Sequence, residues 1–135
     1  MYRPLAAVTL LAALAAGASS AEAACKTKLL TGLWVGHATD QADLYCLTEF
    51  GKDGVILQSS CFNPKTLKPV GALSGGLIVS AGCKVGGSFD LTIFKSGKVS
   101  PATFNGRLVR EGEVMNGDFF IFGAPEDYRF YRQLD

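Results

Sequence analysis

Residues 46–61 read CLTEFGKDGVILQSSC, with a cysteine at each end and Asp53-Gly54 at the centre. Asp-Gly is a strong two-residue hairpin turn, because glycine takes a positive φ without steric cost and aspartate tolerates it. With those two residues at the turn, Lys52 faces Val55, Phe50 faces Leu57 and Cys46 faces Cys61. Directly opposed residues of neighbouring strands lie about 4.5–5.5 Å apart, within reach of a disulfide. A three- or four-residue turn would shift this register by one or two. The stretch therefore predicts a β-hairpin locked by Cys46–Cys61. Closing a loop of this length stabilises by about 3 kcal/mol through chain entropy.

The other readings of these thiols lack partners. A zinc site needs spaced Cys and His ligands, redox chemistry wants Cys-x-x-Cys, and neither pattern occurs. His37 is the only histidine. Outside the fold, residues 1–23 carry Arg3, an apolar run from Leu5 to Ala16, and Ala21-Glu22-Ala23. This is the pattern of a cleaved secretory signal peptide, and its apolar run is too short to cross a bilayer. A lipid on Cys25 would call for a branched apolar residue three positions earlier, where Glu22 stands. Residues 24–135 then form one domain, periplasmic or secreted. Its four cysteines, Cys25, Cys46, Cys61 and Cys83, read as two structural disulfides.

Lys and Arg number 13 against 12 Asp and Glu, and the leader holds one of each kind. That balance argues against a nucleic-acid partner or a membrane-surface role. No second apolar segment of membrane length follows residue 23, so no transmembrane segment is expected in the mature chain.

Alternation of period two runs through the chain: Phe89, Leu91 and Ile93 fall on one face, Asp90 and Thr92 on the other. The pattern predicts eight strands, near 30–38, 43–51, 54–62, 70–80, 85–95, 102–110, 113–122 and 128–134. Short connections favour antiparallel hairpins. Residues 76–91 and 106–121 also echo each other at an offset of 30, matching Gly76 with Gly106, Gly87 with Gly117 and Phe89 with Phe119. Eight short antiparallel strands lose their unpaired edges by closing into an up-and-down barrel. The all-β alternative is a sandwich of the same strands. An outer-membrane barrel would need longer strands with a lipid-facing apolar band.

Gly32-Leu33-Trp34 opens the first strand, and Arg129 and Arg132 lie on the last. This resembles the calycin superfamily of lipocalins, avidins and bacterial metalloprotease inhibitors. In those barrels a Gly-x-Trp sits at the closed end and an Arg from the last strand packs on the indole. The resemblance implies that Gly32, Trp34 and Arg132 close the barrel, with a cation over an aromatic face worth about 0.5–2 kcal/mol. The middle of the chain lacks further lipocalin motifs. The inhibitors insert an N-terminal arm into the protease cleft, whereas here almost nothing precedes Cys25, so inhibition would use another surface.

Counting strands places the turns at 51–54, 81–84 and 110–113 at the end where Cys25 enters, which pairs Cys25 with Cys83. The opposite end collects 37–43, 63–69, 95–101 and 123–127. Binding residues tend to lie on loops carried by a rigid scaffold. The expected binding mouth therefore holds His37, Asp40, Asp43, Lys65, Lys68, Lys95 and Lys98, with Glu126 and Asp127 near. No nucleophile elbow, phosphate loop, metal-ligand set or paired carboxylates appear. The expectation is an exported binding protein that is not an enzyme and needs no cofactor or metal. Its partner would be a protein, such as a protease or lysozyme that it inhibits. The alternative is a small apolar ligand carried in the barrel interior.

Overall fold

The computed structural model describes residues 25–39, 44–109 and 112–133. The leader, Asp40 and Asp43 lie outside them. A 3-10 turn at Thr27–Leu30 leads into eight strands: β1 Gly32–Ala38, β2 Tyr45–Phe50, β3 Ile56–Phe62, β4 Pro69–Val79, β5 Lys84–Ile93, β6 Val99–Val109, β7 Val114–Ile121 and β8 Ala124–Arg132. Each pairs antiparallel with the next, and β8 returns to β1, so the sheet closes into the expected up-and-down barrel and not a sandwich.

Alternation builds the interior. Along β6, Ser100, Ala102, Phe104 and Leu108 are buried while their neighbours face out. Trp34, Phe50, Phe89, Phe104, Met115 and Phe130 are almost wholly buried and fill the barrel from its closed end to its middle. Phe130 meets Phe104 edge-on at 5.4 Å, and Phe89 stacks on Phe119 at 5.6 Å. Phe89 and Phe119 are the matched residues of the echo, so the two similar hairpins meet through equivalent rings. Lys84, Ser88 and Asp90 face out from β5. Along β5 the outward face is thus polar and the inward face apolar.

Both disulfides form as the sequence predicts, Cys46–Cys61 and Cys25–Cys83. The hairpin beneath the first differs in detail. Gly51 N–H bonds Val55 O and Gly54 N–H bonds Gly51 O, with Gly54 at φ +82°. This is a three-residue turn ending in a left-handed glycine, a common hairpin form. Phe50 consequently faces Ile56, not Leu57. The pairing then shifts between Glu49 and Phe50, and this bulge at Leu57 restores Glu49 opposite Gln58 and Cys46 opposite Cys61.

The β3–β4 seam is backbone-paired only near its ends, at Cys61↔Gly71, Phe62↔Pro69 and the bridge Val55↔Gly76. Between them a side chain substitutes. Ser59 Oγ accepts a hydrogen bond from Leu73 N–H at 3.1 Å and lies 3.2 Å from the buried Thr48 hydroxyl.

Candidate functional site

The closed end is sealed by one residue. Arg132 lies over the Trp34 indole and donates to Gly112 O at 3.0 Å, Thr31 O at 2.8 Å and Leu29 O. The indole N–H donates to Leu30 O at 2.8 Å. Gly32 stands where a Cβ would come within 3.3 Å of the Arg132 guanidinium. Partial burial away from water lowers the pKa of Arg132 below its ordinary value, and Glu113 partly offsets this. These contacts tie the last strand to the entry of the first and to Gly112 before β7.

At the other end, above the plugged core, lies an apolar pit of about 240 Å³. Phe119 and Tyr128 floor it, Leu73, Leu91 and Ile121 wall it, and Cys46 contributes its half of the disulfide. Tyr128 is 7 % exposed, and no hydrogen bond to its hydroxyl is made among the described residues. Burial, then the Glu126 carboxylate at the pit's edge, raises its pKa well above the ordinary tyrosine value.

The rim differs from expectation on one side. A two-residue turn, Phe122-Gly123, replaces the anticipated 123–127 loop, because both residues take positive φ (56° and 79°) and Ile121 pairs directly with Ala124. Glu126 and Asp127 are therefore strand residues of β8. The other turns are twins. In residues 63–68, Leu67 N–H bonds Asn63 O at 2.8 Å; in residues 93–98, Gly97 N–H bonds Ile93 O at 2.8 Å. Leu67 and Gly97 both have positive φ, and Lys68 N–H and Lys98 N–H bond the hydroxyls of Thr66 and Ser96. Lys65 matches Lys95 and Lys68 matches Lys98 at the same offset of 30 as the echo. The sequence carries this signal in Lys-Thr-Leu-Lys and Lys-Ser-Gly-Lys.

The four lysines stand on these two turns at the same end of the barrel as the pit, and none of them lines it. His37 does not join them. It ends near the mouth but turns to the outer wall, stacked between Tyr45 at 4.7 Å and Tyr131 at 5.8 Å. The residues that alternation alone missed are Leu67 and Phe122. Each is 71 % exposed at the mouth, and each is held on left-handed backbone. A bulky residue there costs about 1–3 kcal/mol and persists where surroundings or function require it. Besides these two, the described residues hold one such non-glycine, the disulfide-bonded Cys83.

Among the described residues no group of three or more His, Cys, Asp or Glu could hold a metal ion. No helix among them is long and apolar enough to cross a membrane. No family model, curated protein or solved structure matches this chain. An eight-stranded antiparallel barrel with two disulfides is consistent with a calycin-like fold.

Proposed function

We propose that this is an exported, calycin-like binding protein that receives a protein partner at its open mouth and performs no chemistry itself. The observation that carries this reading is the pair Leu67 and Phe122, apolar side chains presented to solvent from left-handed backbone at the mouth, where Phe122 also lines the apolar pit. Folding alone favours Gly or Asn at such positions. A partner that seats one apolar side chain in the pit and covers Leu67 and Phe122 accounts for the strain. Two disulfides suit the oxidising compartment that a secretory leader would reach. A rigid stapled scaffold with a short apolar mouth fits inhibition of an extracytoplasmic hydrolase.

Carriage of an apolar ligand has less room. Ligand pockets run from about 300 to 1,000 Å³, and aromatic side chains occupy the barrel below the pit. A photoreactive residue at position 122 tests the partner reading against the same residue at position 52 on the closed end. The expected result is a discrete crosslinked partner at 122 alone, competed by unlabelled protein, with inhibition in a panel of proteases and lysozymes identifying its class. Equal crosslinking at both positions, or none, overturns it.

A further inference from the structure

A single row of residues winds around the outside of the barrel, away from the mouth site. Lys84 faces Arg107, Arg107 faces Asn116, Asn116 faces Arg129 and Arg129 faces His37. Directly opposed residues share one face of a sheet. Their chain neighbours Val85, Leu108, Met115 and Phe130 are buried in the barrel, so the row lies on the outer wall. Lys84, Arg107 and Arg129 are exposed. At roughly 4.8 Å between strands, these three cations and the amide span about 15 Å.

The wall is not flat along this row. Gly106 and Gly117 face each other so closely that a Cβ on Gly106 would lie 2.2 Å from Asn116 O, and one on Gly117 would lie 2.3 Å from Asn105 O. Beside them the surface sinks into a shallow groove lined by Lys84, Asn105, Arg107 and Asn116. The Oδ1 atom of Asn116 is buried there with no hydrogen-bond partner among the described residues. That atom is shut off from solvent, so the groove meets Asn116 through the rest of its side chain.

We propose that this groove binds an acidic sugar chain. Carboxylates pair with Lys84 and Arg107 in the groove and with Arg129 on the strand beyond Asn116, and the side-chain amide N–H of Asn116 donates to a sugar oxygen between them. The spread of the cations over three strand spacings suits an extended polyanion better than a single small anion, which needs converging donors. Asp118 and Asp127 face each other in the next outer row and confine an anion to the basic one. A single-stranded nucleic acid would want free aromatic faces for its bases. The ring that stands in the row, His37, is sandwiched between Tyr45 and Tyr131 and offers no free face.

The test is calorimetric titration of the oxidised mature protein with an oligouronate, a neutral oligosaccharide of equal length, a single-stranded oligonucleotide and inorganic phosphate. We expect saturable, salt-sensitive binding of the oligouronate and no binding of the neutral sugar. Arg107→Gln with Arg129→Gln should weaken it at least about tenfold through loss of charge-assisted hydrogen bonds. Asn116→Leu should weaken binding without lowering the thermal midpoint, since it removes an unpaired acceptor. Phe122→Asn should leave it unchanged, which separates this site from the mouth. The proposal is overturned by tighter binding of phosphate or oligonucleotide, by equal binding of the neutral sugar, by no binding at all, or by a well-folded double variant that binds as well as the parent.

Discussion

The guanidinium carbon of Arg132 sits 4.4 Å from the centroid of the Trp34 ring, and the two residues are direct partners across the β8–β1 seam. The same side chain ties down the 3-10 turn, the carbonyl of Gly112 and the last strand. Arg132→Ala removes the cation–π contact and three donors, although part of this surface can rehydrate. We expect a loss of about 2 kcal/mol in urea unfolding. Arg132→Lys should recover less than half of it, because an ammonium cannot lie flat on the indole while donating in three directions. Full rescue by lysine would show that charge alone matters at the closed end.

Ser59 gives a second stability prediction. Its hydroxyl is the partner of both Leu73 N–H and the buried Thr48 hydroxyl. Ser59→Ala leaves both without it and should cost about 1–3 kcal/mol. It should also raise amide exchange at Leu73 more than at Leu91, which lies one strand further from the weak seam. An unchanged denaturation midpoint would mean that backbone pairing can replace the side chain there.

The barrel was legible because its information is local. Alternation places Phe104 and Leu108 inside, and turn residues separate the strands. The Cys46–Cys61 pair was also readable, yet through two deviations that cancel. The turn is one residue longer than Asp53-Gly54 alone implies, and the bulge at Leu57 restores the register. The short Phe122-Gly123 turn was hidden because phenylalanine at positive φ contradicts its own preference. The outer row of Lys84, Arg107, Asn116 and Arg129 was hidden for another reason. It joins residues of four strands whose relative stagger is set by barrel closure, which no single stretch encodes.

Tyr128 predicts how stability responds to alkaline pH. Its folded pKa is raised by burial and by Glu126, while in the unfolded chain it titrates near its ordinary value of about 10. The contribution is therefore complete below about pH 10 and declines above it, where only the unfolded chain gives up the proton. The slope from this one group approaches about 1.4 kcal/mol per pH unit. Denaturant midpoints measured between about pH 9 and 11.5 should fall in the parent and fall less steeply in Tyr128→Phe. Identical slopes would place the hydroxyl in contact with water.

Phe122→Asn separates folding from function at the mouth. Asparagine takes the left-handed conformation at lower cost than phenylalanine, and Phe122 is mostly in solvent, so little packing is lost. The substitution should raise stability by about 0.5–1 kcal/mol. It should also weaken capture of the partner at the mouth, because the apolar rim beside the pit is cut away. The two effects have opposite signs, so a single variant measured by thermal unfolding and by partner binding reads both. Destabilisation would show that Phe122 is packed for folding, and stabilisation with undiminished binding would move the partner surface away from this turn.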